Sequence, residues 1–287
     1  MTRKFFVSTT GAGSKSALDF AFELREMGFS GLELSGGVYD ADWSAKLEKL
    51  RLTGEIILHN YFPVPSESLV LNLASLDPSI TEKSIDFIIR SIDLTAQMGA
   101  KWYGIHSGFL YDPNASEIGR ELMPSQLYGY QMSFDSFVQN VKFLGNHARS
   151  RGIRLLIENH VLNFKNYNNF NALNPLLMVE PNEILKIMHE IYEFAGLLLD
   201  VGHLKVSAKT LGFNLEQALI DLNSFTDGYQ LSDNDGNFDL HDNFDNTVWF
   251  AELIDGDVDY ITFELKNPDK KKVENFISYL NDKRGNK

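Results

Sequence analysis

The segment from Gly196 to His203 carries two residues whose types and spacing could hold a metal ion. It reads Gly-Leu-Leu-Leu-Asp-Val-Gly-His, and its apolar run is too short for a helix. Such a run is typical of a strand buried on both faces. An unpartnered carboxylate at its end, Asp200, would be costly to bury. A zinc or manganese ion would remove that cost, because Asp oxygen and His nitrogen are ordinary ligands. The alternative is that Asp200 caps the next helix, with His203 packed beside it.

Similar residues stand at the ends of other predicted strands. Four of the seven histidines of the chain belong to this group, whereas His147 and His189 lie within predicted helices and His160 is expected at its rim. Oxygen and nitrogen ligands without sulfur suit zinc, manganese or cobalt better than calcium. The group consists of His59, His106, Glu158, Asp200, His203, Asp239, His241 and Glu264.

Eight units of a strand followed by a helix must position these residues. The helix predicted at 81–98, for example, has isoleucines at helical spacing and ends at Gly99. Uninterrupted units without a linker favour one closed (β/α)8 TIM barrel over residues 1–287, in which strand ends converge on one mouth. The alternative is an open, doubly wound α/β sheet, but the glycines at 11–13 match its phosphate-binding fingerprint only weakly. The predicted strands are 5–8, 31–35, 55–59, 102–106, 153–158, 196–199, 228–232 and 259–264.

Four further segments complete the predicted barrel. The stretch 109–133 is long, polar and rich in aromatic residues, and an Asn-rich, aromatic loop covers 161–180. Loops of that length in a compact domain are commonly lids or binding elements. A short helix is predicted around Trp249, and the last helix is predicted at 269–280.

Composition excludes several classes of protein. The chain has 287 residues and no cysteine, which rules out disulfides, thiolate metal sites and cysteine nucleophiles and is consistent with a cytoplasmic location. Its first ten residues lack the apolar run of a signal peptide, and no run is long enough to span a membrane. The net charge of −13 and the lack of a dense basic patch disfavour a nucleic-acid partner.

The strand-end motifs resemble those of the xylose isomerase-like barrels, a group that includes sugar isomerases, sugar epimerases and endonuclease IV. The resemblance spans nearly the whole chain and is specific for the superfamily rather than for a substrate. The matching segments are Ile157-Glu158-Asn159, Leu199-Asp200-Val201-Gly202-His203, Leu231-Ser232-Asp233-Asn234, Asp239-Leu240-His241 and Phe263-Glu264.

The resemblance implies a divalent metal site, with manganese or zinc as the favoured ion and cobalt or magnesium as alternatives. Among the sugar epimerases, the metal ligands correspond to Glu158, Asp200 and Glu264, together with a histidine on strand seven. In this chain Gln230 stands at that position. An amide oxygen can bind a metal but lacks the basic nitrogen of an imidazole. In endonuclease IV, the matches to His59, His106, His203, Asp239 and His241 help to hold a zinc cluster.

The leading functional hypothesis is a metal-dependent isomerase or epimerase of a sugar or sugar phosphate. Glu158 and Glu264 would exchange a proton with opposite faces of the sugar through an enediolate, and His203 would bind a substrate oxygen. Salt-bridged glutamates at the barrel end are the structural alternative. The expected substrate-binding residues are Tyr61, Trp102, Phe109, His203 and Lys205, with Lys205 and Lys266 as candidates for a phosphate.

Two other hypotheses stay open. The first is a zinc phosphodiesterase acting on abasic DNA, which the positions of His59 and His106 favour and the negative charge disfavours. The second is a sugar-binding relative whose catalysis is impaired by Gln230. A small-molecule partner is expected in either sugar hypothesis, and homo-oligomers are frequent in the family that the chain resembles.

Overall fold

Eight parallel strands form a closed barrel in the computed structural model, which describes residues 3–254 and 258–285. Each strand pairs with its neighbours in chain order, and the first pairs with the last. The single TIM barrel predicted from the sequence is therefore confirmed. The strands are β1 (Lys4–Ser8), β2 (Gly31–Leu34), β3 (Glu55–His59), β4 (Trp102–His106), β5 (Arg154–Glu158), β6 (Ala195–Asp200), β7 (Thr226–Leu231) and β8 (Tyr260–Phe263).

Helices surround the barrel and bury their apolar faces against the outside of the sheet. The main core fills this outer layer, because the apolar residues of each helix recur at helical spacing. None of the described helices has the length and apolarity needed to cross a membrane. The α-helices are α1 (Ala17–Glu26), α2 (Trp43–Leu50), α3 (Pro78–Gln97), α4 (Tyr130–Ser150), α5 (Phe164–Asn169), α6 (Pro181–Ile191), α7 (Val201–Leu211), α8 (Leu215–Leu222) and α9 (Lys270–Gly285).

Two loop predictions need correction. The segment around Trp249 forms a series of turns rather than the predicted short helix. The 161–180 loop contains a helix, α5, which begins where the Asn163 side chain accepts a hydrogen bond from the backbone N–H of Asn166. Both segments bury isolated apolar side chains, such as Phe250 and Phe170, without a repeating hydrophobic period in the sequence.

The inside of the barrel has an apolar lower part and a polar upper part. Side chains alternate along each strand, so every second residue faces inward. A small buried cluster fills the end of the barrel where the strands begin: Phe6, Ile57, Leu156, Leu198 and Tyr260, with Trp102 packed against it. Two residues later along the same strands, polar side chains take over, among them His59, Glu158, Asp200 and Thr262. The alternation therefore places a polar layer directly above an apolar one.

Gly104 makes room for one of these polar side chains. A Cβ atom at this position would lie 2.6 Å from Nδ1 of His59 and 2.8 Å from Cδ2 of Leu198. Both distances are far inside normal contact, and both neighbours are packed within the barrel. The absence of a side chain at Gly104 thus allows His59 to occupy the barrel interior.

We expect Gly104→Ala to lower the free energy of unfolding by about 1–3 kcal/mol, since overpacking a filled interior forces neighbours off their preferred positions. Urea unfolding followed by circular dichroism measures this. Gly129→Ala is the matched control, because its Cβ would meet only the terminal methyl of the exposed Met132. Equal stability of Gly104→Ala and the wild-type protein would contradict the expectation.

Candidate functional site

A cavity of about 530 Å³ opens at the end of the barrel where the strands finish. Active sites of this fold lie at the same end. The cavity brings together seven of the residues predicted from the sequence: His106, Phe109, Glu158, His203, Asp239, His241 and Glu264. Three further predicted residues, His59, Asp200 and Gln230, are fully buried inside the barrel.

Glu158 lies at the centre of the group and is buried at the end of β5. Its Oε2 atom is 3.0 Å from Nε2 of His59 and 3.4 Å from Nε2 of His106, and its Oε1 atom is 3.0 Å from Nδ1 of His203. Burial alone would raise the pKa of Glu158, but these imidazoles outweigh burial and hold it well below its ordinary value. Glu158 is therefore ionised at neutral pH.

The two carboxylate oxygens of Asp200 have different surroundings. Its Oδ1 atom accepts a hydrogen bond of 2.7 Å from the backbone N–H of His203, so Asp200 is the N-cap of α7. Its Oδ2 atom is buried and has no hydrogen-bond partner. Burial raises the pKa of Asp200 to about 6. The capping role considered from the sequence and the ligand role therefore use different oxygens.

His203 is held at both ring nitrogens. Nδ1 lies 2.9 Å from the backbone oxygen of Asn159, which can only accept, and Nε2 lies 3.1 Å from Oδ2 of Asp239. The carboxylates of Asp200 and Asp239 overcome the effect of burial and raise the pKa of His203 well above its ordinary value. Both nitrogens have protein partners, so the expected contact with a substrate oxygen would have to replace one of these contacts.

His241 has an uncommon backbone conformation for a residue other than glycine, with φ of 52°. Its Nε2 atom lies 3.1 Å from Oδ2 of Asp239, the oxygen that also faces His203. Asp239 therefore bridges two imidazoles at the wall of the cavity. His106 is the most accessible imidazole of the site, with about 35% of its side chain exposed, and burial lowers its pKa to about 4.

Glu264 follows β8, three strands around the barrel from Glu158, and faces the same cavity. Burial, together with the nearby carboxylates of Glu158 and Asp200, raises its pKa well above the ordinary value. One of the two glutamates thus favours the ionised form and the other favours the protonated form. Such a separation is the arrangement that a base and an acid require.

Glu33 is a site residue that the sequence analysis did not identify. It lies in the middle of β2, is fully buried, and accepts hydrogen bonds from Thr262 Oγ1 (3.0 Å) and from the Tyr260 hydroxyl through its Oε2 atom. Its Oε1 atom accepts from Nε2 of Gln230 at 3.3 Å. The sequence did contain an indication of its burial, because Glu33 stands between two leucines of a predicted strand, Leu32 and Leu34.

The donor set fits a divalent metal ion. Two groups of residues each bring three ligand atoms within 4.8 Å of one another: His59, His106 and Glu158 in one, and Glu158, Asp200 and His203 in the other. In the described part of the chain, eight buried side-chain atoms around the cavity make no hydrogen bond of normal geometry, although His59 Nε2 and Glu158 Oε2 lie 3.0 Å apart as an ion pair. Buried polar atoms of this kind are rare in folded proteins unless something else binds them. They are His59 Nδ1 and Nε2, Glu158 Oε2, His160 Nε2, Asp200 Oδ2, Gln230 Oε1, Asp239 Oδ1 and His241 Nδ1.

Three of the expected substrate contacts lie away from the cavity. Trp102 is the first residue of β4, so it stacks on Tyr260 at the opposite end of the barrel. Tyr61 packs against Phe87, and its hydroxyl accepts a hydrogen bond from the backbone N–H of Leu71. Lys205 donates to Asp233 Oδ1 (2.6 Å) and to a backbone oxygen, and it does not line the cavity.

Other residues line the cavity, among them His160, which the sequence placed at the rim of the group. His160 lies 4.9 Å from Phe109 between ring centroids, and burial lowers its pKa to about 3, so it is neutral. The two long loops contribute Arg120, Lys165 and Asn166 to the rim, and Phe238 lies near Asp239. Loop residues of this kind carry no periodic signal, which is why the sequence analysis passed over them.

Comparison with known proteins assigns the family. The chain matches the xylose isomerase-like TIM barrel family over residues 22–282. It belongs to that family. The resemblance inferred from the strand-end motifs is thereby confirmed, and no curated protein sequence matches the chain.

Several solved structures of the xylose isomerase-like fold are similar along their whole length. A D-tagatose 3-epimerase-like protein is 19% identical, with a TM-score of 0.71 and coverage of 98% of this chain and 99% of that one. A Thermus thermophilus protein soaked with zinc chloride is 18% identical, with a TM-score of 0.63 and coverage of 98% and 99%. The 3-keto-D-glucoside 4-epimerase of E. coli is 14% identical, with a TM-score of 0.61 and coverage of 99% and 100%. At these identities the similarity establishes the fold.

Metal addition should stabilise the protein after dialysis against a chelator. Manganese or zinc at about 100 times its Kd adds about 2.7 kcal/mol, which raises the Tm of a chain of this size by about 5–10 °C. Differential scanning calorimetry measures the shift. Glu158→Gln should remove most of it, while His147→Gln, which alters a histidine paired with Asp93 outside the cavity, should keep it. A full shift in Glu158→Gln would contradict the assignment.

Glu183 supports the cavity wall from the first turn of α6. Its Oε2 atom accepts a hydrogen bond of 2.9 Å from the backbone N–H of Met178, whose φ is 59°. The Met178 carbonyl in turn accepts from the backbone N–H of His160. Burial raises the pKa of Glu183 to about 7.

Because its folded-state pKa is raised, the stability linked to protonated Glu183 is present at low pH and is lost as pH rises through about 7. The wild-type protein should therefore lose up to about 3 kcal/mol of unfolding free energy between pH 5 and 8, relative to Glu183→Gln. Urea unfolding across this range measures the difference. Parallel pH profiles for the two proteins would show that Glu183 does not titrate there.

Proposed function

We propose that this protein is a divalent-metal-dependent isomerase or epimerase of a sugar or sugar phosphate. The observation that carries the proposal is the pair Glu158 and Glu264, two buried carboxyl groups on distant strands that face one cavity with opposite pKa shifts. Proton transfer to and from a carbon atom needs a group in each protonation state.

The residues suited to hold the ion are Glu158, Asp200, Gln230 and Glu264, which lie on or just after four strands of the barrel. When bound, a divalent ion supplies Lewis-acid polarisation of a carbonyl and its neighbouring hydroxyl. The orphaned oxygens of Glu158, Asp200 and Gln230 support this assignment. Manganese, zinc, cobalt and magnesium are all compatible with such ligands.

The protein's own groups then divide the proton transfer between them. Ionised Glu158 takes the proton from the carbon next to the carbonyl, which leaves an enediolate. Glu264, with a proton on one of its two carboxyl oxygens, gives that proton to the opposite face of the carbon and so inverts it, and its other oxygen is left for the ion. Each turnover leaves Glu158 protonated and Glu264 ionised, so exchange with solvent must restore the starting state. Solvent hydrogen therefore enters the product.

The walls of the cavity suit a small polar molecule. Phe109 and His160 form an apolar side of the cavity. His106 and His203, whose ring is hydrogen-bonded to a backbone oxygen, form a polar side. Arg120 at the rim and the ion pair between Lys165 and Glu121 provide the charged groups nearest the opening. A cavity of about 530 Å³ accommodates a monosaccharide or its phosphate.

Proton exchange in deuterated water tests the function directly. With manganese present, proton NMR of a panel of ketoses, aldoses and their phosphates should show loss of the signal next to the carbonyl and the appearance of the epimer. Glu158→Gln and Glu264→Gln should each lower the rate at least about 100-fold, since each removes one proton-transfer group. His147→Gln is the control. Wild-type rates in both glutamine variants would rule out this mechanism.

A zinc-dependent phosphodiesterase is the second candidate function. The second ligand group, His59 and His106 with the shared Glu158, favours it, because a one-metal epimerase has no need of a second group. The net charge of −13 disfavours binding to a phosphate backbone. Cleavage of an oligonucleotide with a single abasic site in the presence of zinc distinguishes the two, and our proposal predicts no cleavage.

A further inference from the structure

Gln230 is the residue at which this chain departs from the expected ligand pattern. It is fully buried, and its Cα pairs in register with Asp200 on β6 and with Thr262 on β8. Residues in register on neighbouring strands have side chains on the same face of the sheet. Gln230 therefore faces the barrel interior beside Asp200.

Glu33 fixes the orientation of the Gln230 amide. The Oε2 atom of Glu33 accepts from Thr262 and Tyr260, and its Oε1 atom accepts from Nε2 of Gln230. A carboxylate that accepts hydrogen bonds repels a carbonyl oxygen, so the amide must turn its NH2 group toward Glu33. Its Oε1 atom then points the other way, where it is buried and has no partner.

An amide held in this way has the two properties of a metal-binding imidazole. A ligating histidine presents one nitrogen to the metal and donates its other N–H to a carboxylate or carbonyl behind it. Gln230 presents Oε1 toward the polar layer of the barrel and donates Nε2–H to Glu33. Replacement of histidine by glutamine thus changes the ligand atom from nitrogen to oxygen while keeping the supporting hydrogen bond.

We propose that Gln230, oriented by Glu33, is a working metal ligand that makes the ligand set of Glu158, Asp200, Gln230 and Glu264 consist of oxygen alone, so that it selects manganese or magnesium over zinc. Hard cations prefer oxygen ligands, whereas imidazole nitrogen favours zinc. Glu33 is a positioning residue in this arrangement. The inference rests on the metal dependence of the proposed function and not on its substrate.

Manganese binding without substrate tests the inference, because free manganese gives an electron paramagnetic resonance signal that bound manganese loses. Chelator-treated protein is titrated with manganese chloride, and zinc chloride is then added until half of the bound manganese is released. Gln230→Leu, which cannot bind a metal, should weaken manganese binding about 10-fold to 100-fold. Glu33→Gln, which lets the amide turn, should weaken it in the same range.

Gln230→His should shift selectivity in the opposite direction. It should need at least about tenfold less zinc than the wild-type protein to release half of the manganese. His59 and His106 are the same in both proteins, so any change in the zinc requirement arises at position 230. Gln217→Leu is the matched control, since Gln217 is an exposed glutamine on α8 that also donates its amide to a carboxylate, Asp221 Oδ1 at 2.7 Å.

Each outcome decides the matter. Equal manganese affinity in Gln230→Leu and the wild-type protein, or an unchanged zinc requirement in Gln230→His, overturns the ligand role of Gln230 and leaves the proposed function standing. A wild-type protein that binds no manganese at millimolar concentration overturns this inference and the metal dependence together. Circular dichroism establishes that each variant is folded, and Gln230→His supplies the answer where Gln230→Leu does not fold.

Discussion

The cost of burying charge at the mouth of the barrel governs the rest of this structure. Three carboxylates and several imidazoles lie there at 8% exposure or less, where an unpartnered charge is expensive. The protein offsets part of that cost by placing imidazoles around Glu158 and by capping α7 with Asp200. Among the described residues, eight buried side-chain atoms around the cavity still make no hydrogen bond of normal geometry. The mouth of the barrel thus retains buried polar atoms suited to bind an ion.

The alternation of side chains along the strands connects the fold to that site. Three strands that end in a candidate ligand have an apolar inward residue two positions earlier: Ile57 before His59, Leu156 before Glu158 and Leu198 before Asp200. The apolar layer fills the lower part of the barrel beneath the polar layer. Because side chains alternate with a period of two residues, the same strands supply both the apolar layer inside the barrel and the polar floor of the cavity.

The sequence predicted those features that follow from strand order and from strand ends. The barrel and the convergence of Glu158, His203 and Glu264 required only eight strand–helix units and the rule that strand ends share one face. Trp102 was misplaced because it begins its strand and so lies at the other end of the barrel. Glu33 was missed because its importance depends on contacts with β7 and β8, about 200 residues away in the chain.

Glu158 belongs to both groups of candidate ligands, and this sharing couples them. An ion bound to one carboxylate oxygen of Glu158 would withdraw negative charge from the other oxygen. The affinity of one group for an ion would therefore depend on whether the other group is occupied. By thermodynamic reciprocity, whatever effect the first ion has on the affinity of the second must act equally in the other direction. Occupancy of the two groups by ions would therefore be cooperative and would depend on the ion concentration.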